Sequence, residues 1–94
     1  IILPVKQEWV KQVYHLFVIR HSDRNTLQQK LKIAGVQTGV HYPIALPKLK
    51  AYKHLKNENE RGFAWVSHED LLSLPISEQI TIDQVKEVIC CVKK

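Results

Sequence analysis

Residues 13–20 constrain the fold of this chain more than any other segment. They are rich in aromatic and β-branched side chains, and the apolar ones fall on both faces of an extended backbone. A strand that is apolar on both faces needs cover on both sides, so this pattern predicts a central strand of a covered sheet. His15 shares a face with Phe17 and Ile19, which predicts a histidine packed against neighbouring elements.

A helix is predicted directly after this strand. Ser22-Asp23 offers a helix cap, and Leu27, Leu31 and Ala34 recur at helical spacing along one side. Gly35 stands where a residue with left-handed backbone angles ends many helices. The helix is therefore expected to end just before Gly35.

Residues 36–42 alternate as a second strand, which Pro43 ends because it has no N–H to donate to a sheet. His41 and Tyr42 come at the end of this strand, close to Gly39. Polar side chains at the end of a strand can reach a ligand in a cleft, so both are candidate binding residues. The alternative interpretation is a structural histidine beside a packed tyrosine.

The later part of the chain predicts a helical turn at Pro47, a surface loop over residues 56–62, one or two helical turns over residues 63–70, a third strand over residues 71–76 and a last helix. Thr81 and Gln84 form a capping-box pattern, and the stripe that follows consists of Val85, Val88, Ile89 and Val92. The element order predicts a small α+β sandwich, a sheet of about three strands covered by helices.

Composition sets limits on the class of protein. Ninety-four residues with 45% hydrophobic side chains allow one small folded domain. The longest apolar run, at residues 16–19, is too short to cross a bilayer, and the first residues lack the features of a signal peptide. The chain contains no methionine, so we expect it to be a piece of a longer protein. Its net charge of +5 is spread along the chain, which suits phosphate groups or a solvated basic surface.

Several polar groups are predicted to lack catalytic roles. The adjacent Cys90 and Cys91 are expected to be reduced thiols, which favours a cytoplasmic setting. The histidines show no metal-ligand spacing, so no metal site is predicted. Glu69-Asp70 is expected at a solvated surface, and Ser67, His68 and Asp70 lie too close in sequence to form a catalytic triad.

Two further features leave alternatives open. Trp9 and Trp65 are either packing residues or anchors of an interface. Tyr52 lies among Lys48, Lys50 and Lys53, which is typical of a solvated helix face and less often of a surface that stacks nucleic-acid bases. A free-standing basic α+β module that binds nucleic acid is therefore an alternative function, as is a regulatory small-molecule domain of similar topology.

Taken together and in order, five motifs resemble the C-terminal part of one family, the DegT/DnrJ/EryC1/StrS sugar aminotransferases. The motifs are VYHLFVIR at residues 13–20, DR at 23–24, GVQTGVHYP at 35–43, AY at 51–52 and LSLPI at 72–76. The resemblance covers residues 13–92, and the agreement in order and spacing is more specific than any single motif.

This resemblance implies a homodimeric, cytoplasmic fold-type I enzyme that depends on pyridoxal phosphate. Such enzymes transfer an amino group, commonly from glutamate, to the keto carbon of a nucleotide-linked sugar for cell-surface polysaccharide or antibiotic biosynthesis. Residues 13–94 would be the small C-terminal domain, and residues 1–12 a lead-in from a missing N-terminal domain. The cofactor lysine would belong to that missing domain, so no catalytic or cofactor-binding residue is expected in this chain, which alone should be inactive.

The resemblance also implies that His41 and Tyr42 contact the sugar nucleotide without acting as catalysts. The chain departs from the family pattern at Pro47-Lys48. Many members have a histidine there just after a proline–leucine pair, and this chain has Leu46-Pro47 instead, so a ligand contact by that histidine is not expected here. No nucleic-acid or membrane partner is implied.

Overall fold

The computed structural model describes residues 1–55 and 62–93. Its regular elements are strand β1 (Phe17–Arg20), helix α1 (Arg24–Ile33), short helix α2 (Phe63–Ser67), strand β2 (Leu71–Leu74) and helix α3 (Ile82–Lys93). Three 3-10 segments connect them, at Leu46–Lys48, Lys50–Leu55 and His68–Asp70. The predicted α+β class is confirmed.

The sheet is antiparallel, and β1 and β2 are its only full strands among the described residues. Phe17 lies opposite Leu74, and Arg20 lies opposite Leu71. Single bridges extend the sheet at both edges, from Ile2 to Arg20 beside β1 and from Gly39 to Ser73 beside β2. The sheet is thus narrower than the predicted three strands, although all the predicted segments reach it.

The first strand is shorter than predicted. Residues 13–16 do not continue β1, because Tyr14 has a φ of 50°, in the left-handed region that an extended strand cannot include. Val13 is consequently 81% exposed. The strand predicted over residues 13–20 is thus confirmed for Phe17–Arg20 and wrong for the four residues before it.

The predicted strand over residues 36–42 is wrong as a continuous element. Within this segment only Gly39 pairs with the sheet. The N–H of Gly39 donates to the carbonyl of Ser73 (3.0 Å), and the N–H of Ser73 donates to the carbonyl of Gly39 (2.8 Å). The chain bends at His41, whose ring lies against Gly39, so the ladder cannot extend further.

Helix α1 begins and ends where the sequence predicts. The carboxylate of Asp23 accepts a hydrogen bond from the N–H of Thr26 at 3.2 Å, which caps the first turn. At the other end Gly35 has a φ of 81°, and the N–H of Val36 donates to the carbonyl of Leu31 at 2.8 Å. This is the Schellman arrangement that a left-handed glycine permits.

The core lies between the sheet, α1 and the inner side of α3. Its buried members are Ile19, Leu27, Leu31, Val36 and Leu72. Val88 and Val92 pack against it from α3, whereas Val85 and Ile89 of the same stripe are 36% and 45% exposed. The capping box of α3 is confirmed, since Thr81 and Gln84 exchange side-chain to backbone hydrogen bonds of 2.9 and 3.2 Å.

The remaining predictions hold for the described residues, except that β2 ends at Leu74, two residues before the predicted end of the third strand. Pro47 lies in the first turn of a 3-10 segment, residues 63–70 form two short helical pieces, and β2 occupies Leu71–Leu74. The surface loop predicted for residues 56–62 falls almost wholly outside the described residues. No helix in the described part of the chain is long and apolar enough to cross a bilayer.

Candidate functional site

The site is built around a hydrogen bond between His41 and Ser73. His41 follows the bend after Gly39, and its Nδ1 lies 2.9 Å from Oγ of Ser73. Ser73 is in the middle of β2 and is only 4% exposed, whereas His41 is exposed. A buried side chain of the sheet therefore holds a surface histidine in place.

Gly39 makes this arrangement possible. A Cβ atom at this position would lie 2.5 Å from Cε1 of His41, which is closer than carbon atoms approach each other. Any larger residue would push the imidazole away from the backbone, and with it away from Ser73. The glycine is needed here for the space that it leaves.

An open groove of about 790 Å³ lies beside this pair. Among the described residues that line it, none is a lysine or arginine, and Glu87 is the acidic one. The other polar side chains are His15, Gln37, Thr38, His41, Ser73, Ser77, Gln79 and Gln84. These groups mostly offer uncharged hydrogen-bond donors and acceptors, which suit a neutral polar ligand better than a phosphate group.

Tyr42 is oriented differently from His41. It is 77% exposed and does not belong to the lining of the groove. Its ring meets that of His41 edge-on, with 6.1 Å between the centroids, and the peptide bond between the two residues is cis. The structure thus keeps the two predicted contact residues together but places only His41 in the groove.

His15 was predicted to be packed, and this is wrong. It is exposed and lines the groove, because the positive φ of Tyr14 takes it out of the strand that would have buried it. Ser73 is the residue that sequence reasoning missed. The available signal was a hydroxyl residue between Leu72 and Leu74, which must point to the opposite face of the strand from both.

The other histidines do not form a metal site. No three His, Cys, Asp or Glu side chains converge within the described part of the chain. His68 is buried, and its Nδ1 lies 3.1 Å from the carbonyl oxygen of Trp65. The amino group of Lys48 lies 3.5 Å from Nε2 of His68 and 5.3 Å from the centre of the Trp65 ring. Lys48 and Trp65 are thus engaged with each other within the domain.

The adjacent residues Glu69 and Asp70 lie in different environments. Asp70 forms an ion pair of 3.0 Å with Arg20, and both side chains are less than a third exposed, so the predicted solvated position is wrong for Asp70. Glu69 is exposed as predicted, with 74% of its side chain accessible. Ser67 donates to the carbonyl of Phe63 at 2.8 Å, which leaves its hydroxyl outside any triad.

Trp9 and the two cysteines lie at or near the surface. Trp9 is 84% exposed, which favours an interface anchor over a packing residue. Cys90 and Cys91 are free thiols, the first exposed and the second half-buried.

A sequence model described as the DegT/DnrJ/EryC1/StrS aminotransferase family matches residues 1–93. The chain belongs to this family. The predicted resemblance is confirmed over nearly the whole sequence.

Two curated proteins are similar to this chain. One is the dTDP-3-amino-3,6-dideoxy-alpha-D-galactopyranose transaminase of Aneurinibacillus thermoaerophilus, 34% identical over 92 residues, which are 98% of this chain and 25% of the relative. The other is the erythromycin biosynthesis sensory transduction protein EryC1 of Saccharopolyspora erythraea. It is 35% identical over 94 residues, which are 99% of this chain and 26% of the relative.

A solved structure shares the fold. It is S. venezuelae DesV in complex with a ketimine intermediate, which matches with a TM-score of 0.86 and 30% identity over 98% of this chain and 25% of that chain. The chain spans about a quarter of the length of the relatives that it matches.

Proposed function

We propose that this chain is one part of a pyridoxal-phosphate-dependent aminotransferase that acts on a nucleotide-linked keto sugar. The full protein would transfer an amino group, with glutamate as the donor, to the keto carbon of that sugar. The observation that carries the proposal is the fixed position of His41 at the groove, in a chain that belongs to this aminotransferase family over residues 1–93. His41 and Tyr42 would contact the sugar nucleotide.

The chemistry of the groove supports a sugar as its occupant. A sugar ring offers several hydroxyl groups, which pair well with amide, hydroxyl and imidazole groups at the ends of the surrounding elements. The net charge of +5 suits either phosphate groups or a solvated basic surface, and none of the described residues that line the groove is a lysine or arginine. We therefore assign the sugar, and not the diphosphate, to this groove.

The described residues of this groove do not fit the cofactor. Pyridoxal phosphate needs a lysine amine for its carbonyl carbon and hydrogen-bond donors for its phosphate. The described lining supplies no lysine. We accordingly place the cofactor, and every catalytic residue, in the larger part of the protein that this chain does not include.

Substitution of the two contact residues tests the proposal. In the complete protein, H41Q and Y42F should raise KM for the nucleotide sugar and change KM for the amino donor little. His54→Gln is the matched control, because His54 is also exposed but lies in a 3-10 segment outside the lining of the groove. Unchanged KM for the nucleotide sugar in both H41Q and Y42F would refute the assignment of the site.

The location of the cofactor has its own test. Residues 1–94 mixed with pyridoxal phosphate should leave the visible spectrum of the cofactor unchanged, whereas the complete protein should shift it. A specific cofactor adduct on one lysine of residues 1–94 would contradict the proposal.

The organisation of the full protein is part of the same proposal. Residues 13–94 would form its small C-terminal domain and residues 1–12 the lead-in to it, in a cytoplasmic homodimer. Its aminated sugar would enter antibiotic or cell-surface polysaccharide biosynthesis. Family membership gives no support to the alternative of a free-standing nucleic-acid-binding module, and sedimentation of the complete protein would test the dimer.

A further inference from the structure

We infer that Ser73 is a positioning residue for His41: its buried hydroxyl donates to Nδ1 and so keeps the imidazole proton on Nε2, ready to donate to an oxygen of the sugar. The inference rests on the proposed function, in which His41 contacts the substrate. It adds the direction of the hydrogen bond and the residue that sets it.

The direction follows from the burial of Ser73. Ser73 is 4% exposed at the wall of the groove, so without a ligand its hydroxyl proton has little access to water and needs an acceptor within the protein. Nδ1 of His41, at 2.9 Å, is the one hydrogen-bond partner of this hydroxyl within the described part of the chain. If Nδ1 carried a proton and donated to Ser73 instead, the hydroxyl proton would be buried without an acceptor, which is the less stable arrangement.

The consequence for His41 is a single neutral tautomer. A neutral imidazole has one protonated nitrogen, so an Nδ1 that accepts leaves the proton on Nε2. Nε2 makes no hydrogen bond to the described residues, and His41 lines the groove. It can therefore donate to an acceptor oxygen of a ligand there.

The backbone makes this positioning rigid. Gly39 and Ser73 exchange two hydrogen bonds of 3.0 and 2.8 Å, so the residue two before His41 is fixed directly to the residue that holds its ring. The close approach of the ring to Gly39 restricts its movement further. An imidazole restrained by both Ser73 and Gly39 loses little freedom when a ligand binds, which favours affinity.

Nitrogen NMR of the complete protein, labelled with ¹⁵N in histidine only, tests the inference without any substrate. The His41 signals are assigned by their loss in H41Q. The wild type should show the Nε2–H tautomer, and S73A should show a mixture or the opposite tautomer. A wild-type His41 with its proton on Nδ1, or an S73A spectrum identical to that of the wild type, would overturn the inference.

Ser67→Ala is the matched control. Ser67 is also 4% exposed, but its hydroxyl donates to the carbonyl of Phe63 instead of a histidine. The S67A variant should lower the stability of the protein, as S73A does, and should leave the His41 signals unchanged. S73T retains the hydroxyl and should restore the wild-type tautomer. The wild-type measurement decides the direction of the bond even if S73A does not fold.

Kinetics of the same variants separate the inference from the proposed function. S73A should raise KM for the nucleotide sugar about three- to tenfold, the size expected for one hydrogen bond, with a smaller change in kcat. Inhibition by the nucleoside diphosphate alone should be unchanged, because the contact is to the sugar. Weaker inhibition by the diphosphate in S73A would overturn the sugar assignment. If H41Q left KM unchanged while the tautomer depended on Ser73, the contact of His41 with the sugar would be refuted and the positioning by Ser73 would stand.

Discussion

The guanidinium of Arg20 lies 3.0 Å from the carboxylate of Asp70 and 4.6 Å from the centre of the Phe63 ring. Arg20 is the last residue of β1, and Asp70 directly precedes β2, so the pair closes the end of the sheet opposite the groove. The N–H of His21 also donates to the carbonyl of Asp70 at 3.0 Å. Asp70 therefore accepts a charged hydrogen bond from Arg20 and a neutral one from the backbone of His21, at the end of β1.

Removing this carboxylate should loosen the sheet. In D70A the guanidinium of Arg20 would remain half-buried without its partner, so we expect a loss of about 1–2 kcal/mol of local stability. Amide hydrogen exchange of β1 and β2 in the complete protein measures this loss. Asp83→Ala is the control, because its pair with Lys86 lies on the surface of α3 and should contribute less than about 0.5 kcal/mol. Equal exchange rates in D70A and D83A would contradict the prediction.

Gly39 should be required for the site more than for the fold. The added methyl group in G39A would meet the His41 ring, and the exposed ring can move away at modest cost to stability. The His41 to Ser73 hydrogen bond would be lost, so KM for the nucleotide sugar should rise while the thermal midpoint of the complete protein changes little. G62A is the control, since a Cβ atom there meets nothing within 4 Å. A G39A protein with the KM of the wild type would exclude this role for the glycine.

Gly35 should behave in the opposite way. A Cβ atom at Gly35 has free space around it, but its φ of 81° is unfavourable for any residue with a side chain. G35A should therefore cost about 1 kcal/mol of stability through backbone strain at the end of α1. Hydrogen exchange of the last turn of α1 would detect this, and the tautomer of His41 should stay the same. Faster exchange confined to β2 would point to another cause.

The parts of the fold that sequence predicts well are those decided by local chemistry. Asp23 as a cap, Gly35 as a terminator and the Thr81 to Gln84 box each act through residues at most a few positions apart. The lengths of the strands depend on pairing between residues far apart in the sequence, so local patterns predicted strands that are too long. Val13 and Tyr14 are β-forming residues, yet the positive φ of Tyr14 makes β1 begin only at Phe17.

The candidate site was predictable only in part for the same reason. His41 was found because Gly39 and Pro43 mark the end of an extended segment. Its partner Ser73 lies 32 positions later, and no local pattern joins the two. The surface position predicted for Asp70 is wrong because its ion pair with Arg20 joins residues 50 positions apart, and no local pattern indicates that pair. Contacts of this kind follow from the packing of the sheet and cannot be found from spacing.

The cap of α1 gives a prediction for pH. The hydrogen bonds from Thr26 favour the ionised form of Asp23 and lower the pKa of its carboxyl below the usual range. The pKa of Asp23 is lower in the folded than in the unfolded state. The cap therefore stabilises α1 fully at pH values above the unfolded pKa, and this stabilisation is lost as the pH falls through the folded pKa. Hydrogen exchange in the first turn of α1, followed from neutral to strongly acidic pH, should show this loss. D23N is the control, because asparagine caps a helix about as well without titrating. The same acid-dependent loosening in D23N would show that the cap is not its source.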